Sequence, residues 1–227
     1  MEVLYEDNHL ILVNKRAGEI VQFDKTGDTP LEEEVKRYLK ERYHKPGEVF
    51  LGVVHRIDRP VSGVVLFART SKALVRLNEM MQTRAVKKCY WALVCEKPPQ
   101  QEETLTHYLF RDSRTNKTRC FPNPGKETKK AVLHYRLIGA TQRYWLLEID
   151  LETGRHHQIR AQLAAIGCPI KGDLKYGAPR SNPDGGISLH ARNISFLHPV
   201  QNIPLSVTAP LPSDPLWNLF AESYSGQ

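Results

Sequence analysis

The segment LGVVHRIDRPVSGVVLFART, from Leu51 to Thr70, places a cluster of charged residues between two apolar runs that are typical of strands. Pro60 biases the preceding residue away from helical backbone, and Gly63 permits an unusual turn, so the charged residues are predicted to lie on a loop. That loop carries Asp58, and functional groups concentrate on loops that a rigid sheet positions. A carboxylate there can act as a nucleophile, a general base or a metal ligand. It can equally pair with a neighbouring arginine and only stabilise the turn, and the segment alone leaves both interpretations open.

The pattern on either side of this loop predicts an α+β protein with many strands and few helices. Helical spacing after capping residues predicts four helices. They are Pro30–Tyr43 with Thr29 as N-cap and Glu32 in a capping box, a helix from Ser71 as N-cap to Met81, Arg155–Ile166 ended by Gly167, and Pro215–Glu222. Short apolar or alternating runs predict ten strands. They are Val3–Tyr5, Leu10–Val13, Val49–Val54, Val64–Ala68, Cys89–Val94, Leu105–Leu109, Val132–Ile138, Tyr144–Leu151, Ile187–Leu189 and Leu205–Thr208. Such a set indicates a mixed, mostly antiparallel sheet.

Composition and charge restrict the class of protein. The 227 residues are 41% hydrophobic and 25% charged, and no apolar run is long enough to cross a membrane. The N-terminus is acidic, unlike a secretory signal, and the four cysteines lack the spacing of metal or redox motifs, so we expect a cytoplasmic protein with free thiols. With no internal repeat and no long linker, residues 1–227 are expected to form a single domain.

The net charge of +7 is unevenly distributed. Residues 1–34 hold three basic and nine acidic side chains, which leaves 29 basic and 16 acidic side chains in the rest. Two basic segments, RDSRTNKTR (111–119) and KETKK (126–130), adjoin the turn residues 123–125 and predict a basic hairpin. Such a hairpin suits contact with nucleic-acid phosphates, although a hairpin that is simply solvated has the same composition.

A second cluster, ETGRHHQIRAQLAAIG, spans residues 152–167. On the predicted helix His156 and Arg160 are four residues apart and share a neighbouring face, so both can point into one cleft. His156 and His157 would be about 100° apart on a helix, which disfavours a zinc site. The planar fork of an arginine can hold a carboxylate or phosphate with two hydrogen bonds. An ordinary surface helix remains the alternative.

The strand KKCYWALV, residues 87–94, carries Tyr90 on the opposite face from Trp91. A tyrosine near a cleft can stack on a base or take part in proton transfer. A core tyrosine with a satisfied hydroxyl is the alternative.

Several of these motifs together resemble the RluA-type family of RNA pseudouridine synthases. HRIDRPVSG is similar to the family's HRLDxxTSG segment, KCYWALV to its K-x-Y-x-A-x-V strand, and GRHHQIR to its GRTHQIR segment. GDLKYG (172–177), SLHA (188–191) and FLHP (196–199) match further landmarks in the same order. The resemblance extends from about Val3 to Pro212.

The resemblance implies a pseudouridine synthase fold, with a long mixed sheet, flanking helices and a central RNA-binding cleft. It implies that Asp58 is the nucleophile, that Tyr90 is the active-site tyrosine and that Arg160 pairs with Asp58. The expected substrate-binding residues are His55, Arg56, Ile159 and Leu189, with Leu189 beside the target base and Arg56 displacing it from its stack. No metal and no cofactor are expected, because the isomerisation needs neither a redox change nor an external group.

The chain departs from the family pattern at a few positions. Val61 replaces the usual threonine of TSG, His156 replaces the threonine of GRTHQIR, and Lys15-Arg16 stands where Lys-Pro is common. None of these changes removes Asp58, Tyr90 or Arg160. Many relatives also carry an RNA-binding domain before the catalytic one, which is expected to be missing here.

The sequence therefore predicts an isomerase that converts a specific uridine in structured RNA, ribosomal or transfer RNA, to pseudouridine. A monomer is expected, since no large apolar surface stripe stands out. Two competing hypotheses are a catalytically inactive RNA-binding or chaperone protein of the same fold, and a metal-dependent hydrolase that uses the histidines around residue 156.

Overall fold

The structure is a computed structural model that describes residues 1–24 and 26–224. Within them are four α-helices and eleven strands. In chain order the elements are β1 (Glu2–Glu6), β2 (Leu10–Lys15), α1 (Leu31–Arg42), β3 (Gly52–Val53), β4 (Ser62–Ala68), α2 (Ser71–Gln82), β5 (Lys87–Val94), β6 (Glu102–Asp112), β7 (Lys117–Phe121), β8 (Lys129–Ala140), β9 (Trp145–Leu151), α3 (Gln158–Ala165), β10 (Leu189–Leu197), β11 (Pro204–Thr208) and α4 (Pro215–Tyr224).

The chain divides into two compact units. Unit 1 contains Met1–Val86 and Ala191–Pro212, and unit 2 contains Lys87–His190 and the segment from Ser213 onward. The pairs β1–β2, β2–β4, β3–β4 and β10–β11 of unit 1 and the pairs β5–β9, β8–β9, β6–β8 and β6–β7 of unit 2 are antiparallel, in agreement with the mixed, mostly antiparallel sheet that the sequence predicts. That residues 1–227 act as one catalytic domain stays a prediction.

Unit 1 is organised around two buried strands. Its strands follow the order β1–β2–β4–β10–β11, with β3 also paired to β4. Every residue of β4 is buried, which fits its apolar run SGVVLFA. The apolar face of α1, namely Leu31, Val35 and Leu39, is buried, and so are Ala73 and Leu77 of α2. This core supports the loop 54–61 that precedes β4.

Unit 2 is a meander of long antiparallel strands, in the order β5–β9–β8–β6–β7. One face of β6 and β8 packs under α3, where Leu109 and Ala131 form a buried cluster with Ala161 and Tyr176. α4 covers β8 so closely that a Cβ on Gly139 would overlap the Phe220 ring. The strands therefore fix the start of α3, which carries Arg160.

The predicted helices are present, but three of their N-termini were wrong. Pro30 occupies the N-cap of α1 and no side chain caps it, so the predicted capping box of Thr29 and Glu32 does not form. At α2 the N-cap is Thr70, whose hydroxyl accepts a hydrogen bond from the Ala73 N–H at 3.2 Å, and Ser71 is the first helical residue. α3 begins at Gln158 rather than Arg155, and Gly167 follows its end with a positive φ as predicted.

The strand predictions also needed correction in three places. Only Gly52–Val53 of the predicted strand Val49–Val54 is paired. β7 was missed because its sequence KTRCF was interpreted as part of a charged loop, and the turn between β6 and β7 lies at residues 113–116. β10 runs from Leu189 to Leu197, beyond the predicted Ile187–Leu189, because polar residues interrupt its apolar pattern.

Candidate active site

The loop between β3 and β4 presents Asp58 and Arg56. A turn closes where the Val61 N–H donates to the Asp58 carbonyl at 3.0 Å. Asp58 is half-buried, whereas Arg56 is exposed. A half-buried carboxylate on a loop held by buried strands is the arrangement expected of a functional group rather than of a solvated turn.

Lys15, at the end of β2, holds this loop from beneath. Its side chain is completely buried, and Nζ donates to the carbonyls of Arg16, Arg59 and Val61 at 2.9, 3.0 and 2.7 Å. These three bonds match the three N–H groups of an ammonium. Burial lowers the pKa of Lys15 to about 7, and the nearby carboxylates of Glu19 and Asp58 act in the opposite direction. Lys15 is therefore both an anchor for the loop and a cation that interacts electrostatically with Asp58.

A backbone hydrogen bond also connects the same loop to the turn after β2. The Gly18 N–H donates to the Arg59 carbonyl at 2.8 Å, and the Arg16 N–H donates to Glu19 Oε2 at 2.8 Å. The second of these bonds needs an N–H that the family's usual proline would lack. The departure at Arg16 thus adds a hydrogen bond in this turn.

Gly63 fixes the start of β4. It has a φ of +115°, and a Cβ there would overlap the backbone carbonyl of Ala191. Val61 is buried, and it is the Val61 carbonyl, not the side chain, that meets Lys15. The valine therefore keeps the bond that holds the loop.

The two remaining polar residues of the loop have structural partners. His55 Nε2 accepts the Leu66 N–H at 3.1 Å, which places the proton of a neutral ring on Nδ1. Arg59 Nη2 lies 2.6 Å from Asp28 Oδ2, and both side chains are about half exposed. Arg59 thus has a salt-bridge partner outside the loop, and an exposed pair of this kind contributes little stability.

In unit 2, Arg160 is buried at the start of α3 and forms a two-pronged salt bridge with Asp173. Its Nε and Nη2 donate to the two carboxylate oxygens at 2.7 and 2.9 Å, and both side chains are almost fully buried. The guanidinium carbon also lies 5.0 Å from the centre of the Tyr176 ring. Five N–H groups are available on a guanidinium, and Asp173 engages two of them. The segments GRHHQIR and GDLKYG therefore build one cluster around Arg160.

A buried histidine completes this cluster. His157 has a left-handed φ of +49°, and its Nδ1 lies 2.9 Å from the Tyr176 hydroxyl, which accepts the Thr118 N–H at 2.8 Å. Burial, followed by the positive charge of Arg160, lowers the pKa of His157 to about 2. His157 is therefore neutral at physiological pH, and its hydrogen bond to the Tyr176 hydroxyl connects it to Thr118 of β7.

His156 lies outside α3, so the predicted helical face shared with Arg160 does not exist. The rings of His156 and His157 stack with centres 3.7 Å apart, instead of diverging by the angle expected on a helix. Thr118 Oγ1 lies 2.9 Å from His156 Nδ1 and donates to the His156 carbonyl. In the described part of the chain no three His, Cys, Asp or Glu side chains are grouped to hold a metal ion.

The other predicted site residues belong to unit 2 and are buried. Tyr90 of β5 is 8% exposed and lies opposite Ile149 of β9. Ile159 in the first turn of α3 and Leu189 at the start of β10 are also buried. By strand alternation Lys88 shares the face of Tyr90, and burial lowers the pKa of Lys88.

Comparison with known proteins settles the family. The profile of the RNA pseudouridylate synthase family matches residues 9–165, which include Asp58, Tyr90 and Arg160. The chain belongs to this family. Its members are isomerases that convert uridine in RNA to pseudouridine.

Relatives and solved structures agree with this membership. The chain is 33% identical over 217 residues to the uncharacterized RNA pseudouridine synthase YhcT of Bacillus subtilis, covering 94% of this chain and 70% of the relative. It is 34% identical over 227 residues to ribosomal large subunit pseudouridine synthase D of Xylella fastidiosa, covering 94% and 67%. It is 30% identical over 230 residues to tRNA pseudouridine synthase C of Pectobacterium carotovorum, covering 92% and 58%.

The fold is that of pseudouridine synthases. Human RNA Pseudouridylate Synthase Domain Containing 4 superposes with a TM-score of 0.77 at 24% identity, covering 93% of this chain and 89% of that one. Human RNA Pseudouridylate Synthase Domain Containing 1 superposes with a TM-score of 0.71 at 20% identity, covering 100% and 95%. The fold predicted from the motifs is therefore confirmed.

The sequence interpretation missed the residues that support the pseudouridine synthase site. Lys15, Asp173, Tyr176 and Thr118 hold the Asp58 loop and Arg160 in place, yet none of them was given this role: Lys15 was noted only in the Lys15-Arg16 departure, Thr118 only in a basic segment, and Asp173 and Tyr176 only in the landmark GDLKYG. The available signal was polarity in buried surroundings, for example Lys15 directly after LILVN. A lysine that directly follows such an apolar strand is buried only if other parts of the chain supply hydrogen-bond acceptors for its ammonium group.

Proposed function

We propose that this protein isomerises a specific uridine to pseudouridine in structured RNA, with Asp58 as the nucleophile. The observation that carries the proposal is the Asp58 loop, anchored by buried Lys15, in a chain of the RNA pseudouridylate synthase family. An anchored carboxylate can attack or stabilise the ribose carbon C1′ while the bond to uracil N1 breaks. The freed uracil then turns and C5 bonds to C1′ as any bond between C1′ and the Asp58 oxygen breaks, which regenerates the carboxylate; the C5 proton leaves and N1 takes a proton, so no co-reactant is needed.

We assign the remaining roles as the family resemblance implies. Arg160 is the cation that pairs with Asp58, and its position is fixed by Asp173 and Tyr176. Tyr90 stacks on the uracil or aids removal of the C5 proton. Lys15 is a positioning residue beneath the loop.

We assign substrate binding to Arg56, His55, Ile159 and Leu189. Arg56 is the exposed member of the set and enters the RNA helix, because a stacked uridine must be flipped out before it can react. Leu189 and Ile159 offer apolar surface to the flipped base.

The RNA substrate is proposed to be ribosomal or transfer RNA. Support comes from two relatives, one named as a ribosomal large subunit pseudouridine synthase and the other as a tRNA pseudouridine synthase. The basic remainder of the chain after residue 34 suits either RNA. We further propose that residues 1–227 act as one catalytic domain and as a monomer, and light scattering in solution tests the second point.

We propose a cytoplasmic location. All four cysteines are thiols, with no disulfide among them, as is usual in a reducing compartment. No helix in residues 1–24 or 26–224 is long and apolar enough to cross a membrane.

The direct test is release of tritium from C5 of labelled uridine in bulk tRNA and in ribosomal RNA, without added metal or nucleotide. We expect release by the unmodified protein and none above background by Asp58→Asn. Asp28→Asn is the matched control, because it makes the same chemical change in an exposed salt bridge and should keep full turnover.

Equal release by Asp58→Asn and the unmodified protein would overturn the assignment of the nucleophile. Absence of release from every RNA tested, with RNA binding unaffected by Asp58→Asn, would instead support an inactive RNA-binding protein. Mapping of pseudouridines in total RNA from cells with and without the gene would identify the substrate by the site that disappears.

A further inference from the structure

The outward face of β6 and β7 carries an apolar pocket that the proposed chemistry does not use. Its volume is about 530 Å³, and Phe110 and Phe121 line it together with the connection from residue 122 to 128. This volume is typical of sites that hold a small organic molecule. Phe121 is 40% exposed, so its ring is open to a ligand in the pocket.

Strand register separates the pocket from the Arg160 cluster. Leu109 and Cys120 lie opposite each other in the β6–β7 pair and pack with Tyr176 under α3. Phe110 and Phe121, each one residue further along its strand, therefore point to the other face. The pocket is thus distinct from the cluster around Arg160.

The wall of the pocket is already formed. Thr128 Oγ1 accepts the Gly125 N–H at 2.8 Å and donates to the Gly125 carbonyl at 2.8 Å, and the Thr128 N–H donates to the same carbonyl at 3.2 Å. These bonds close the connection between β7 and β8 into a fixed loop. Asn123 and Lys126 on this loop add polar groups to an otherwise apolar lining.

The hairpin segment that carries the pocket is strongly basic. Between residues 111 and 130 there are seven basic and two acidic side chains. One of the acids, Asp112, is buried and lies 3.6 Å from Arg119 Nη2 and 3.9 Å from Arg114 Nε. An aromatic pocket inside a cationic surface matches the chemistry of RNA, in which flat apolar bases alternate with phosphates.

We propose that this pocket binds an unpaired nucleobase of the RNA substrate, away from the target uridine, between Phe110 and Phe121. The basic residues around it contact the adjoining phosphates. The inference rests on the proposed function for the identity of the substrate. It explains why the hairpin combines an exposed Phe121 and a half-buried Phe110 with positive charge, which a solvated hairpin does not need.

The test compares two probes of equal length, a single-stranded RNA decamer containing 2-aminopurine and a fully paired RNA duplex. Since a base stacks favourably on an aromatic side chain, Phe121→Ala should weaken binding of the single strand by about tenfold. Binding of the duplex should stay unchanged, because its bases are not available. Phe121→Trp should keep the affinity and the quenching of 2-aminopurine, since it retains an aromatic face.

Phe50→Ala is the matched control, since Phe50 is 48% exposed and belongs to unit 1. Single-strand affinity that is unchanged in Phe121→Ala would overturn the proposal, as would an equal loss for strand and duplex. Tritium release decides the proposed function separately. If the unmodified protein releases tritium and Phe121→Ala binds the single strand with unchanged affinity, only the pocket proposal is refuted. If Phe121→Ala loses affinity for the single strand selectively but the unmodified protein releases no tritium, only the isomerase proposal is refuted.

Discussion

Lys15 offers a quantitative test of how the Asp58 loop is held. Lys15→Met keeps an unbranched side chain of similar length but removes the three hydrogen bonds to the carbonyls of Arg16, Arg59 and Val61. The buried Val61 carbonyl loses the ammonium as its donor at a cost of about 1–3 kcal/mol, whereas the Arg59 carbonyl still accepts the Gly18 N–H and the Arg16 carbonyl still accepts the Glu19 N–H. Against this loss stands the cost of holding the lysine, since lowering its pKa from 10.5 to about 7 corresponds to roughly 5 kcal/mol.

Because these two contributions act in opposite directions, stability at a single pH does not reveal the state of Lys15. The pH dependence of the free energy of unfolding reveals whether Lys15 keeps its proton. The unfolded chain keeps the proton on Lys15 up to about pH 10.5, whereas the folded protein loses it above about pH 7. The unfolded state therefore binds more protons between these values, and the free energy of unfolding rises with pH. From pH 7 to pH 9 the unmodified protein should gain about 2 kcal/mol relative to Lys15→Met.

The measurement is urea unfolding followed by circular dichroism at several pH values. Circular dichroism is preferable to tryptophan fluorescence, because Trp91, Trp145 and Trp217 all belong to unit 2 and Lys15 belongs to unit 1. Lys72→Met, at an exposed position in the first turn of α2, should show no such gain relative to the unmodified protein. A difference between the unmodified protein and Lys15→Met that stays flat from pH 7 to pH 9 would refute the argument. It would mean that the three carbonyls keep the ammonium at its ordinary pKa despite burial.

Two further predictions concern stability. Thr70→Ala should lower the free energy of unfolding by about 1 kcal/mol through loss of the N-cap of α2, while Ser71→Ala should change it by less than about half of that. Equal effects in denaturant unfolding would contradict the assignment of Thr70 as the cap. Asp173→Asn should lower the free energy of unfolding by about 3–5 kcal/mol, because the buried Arg160 loses the negative charge of its partner. Tryptophan fluorescence during urea unfolding measures this change in unit 2, and a loss under about 1 kcal/mol would show that the pair is dispensable.

The elements best predicted from the sequence are those whose burial follows a simple period. The apolar run of β4 and the spacing of Leu31, Val35 and Leu39 on α1 require no knowledge of the rest of the chain. β7 alternates as well, with Thr118 and Cys120 inward and charged residues outward, but the charge of KTRCF concealed the alternation. Its inward side became evident only once α3 and Tyr176 were seen to cover it.

The start of α3 could not be predicted from local propensity. The left-handed φ of His157 ends any continuation of the helix towards Arg155, and this conformation is held by the contact with Tyr176 and by stacking on His156. The chain departs from helical geometry because of contacts formed elsewhere in the fold. The partner of Arg160 was unpredictable for the same reason. No rule of sequence spacing distinguishes Asp173 from any other carboxylate that an arginine could bind.

The Asp58 loop shows which departures from the family pattern its anchoring tolerates. Lys15 reaches the loop through the backbone carbonyls of Arg59 and Val61, and every residue type supplies a carbonyl. Replacing the usual threonine by Val61 therefore leaves the anchor unchanged, and the valine side chain gains burial that a hydroxyl would oppose. Lys15 itself has no such freedom, because only a long side chain with three donors can serve three buried acceptors at once. The constraint on the loop thus lies at residue 15 on β2, far along the sequence from the carboxylate that the loop presents.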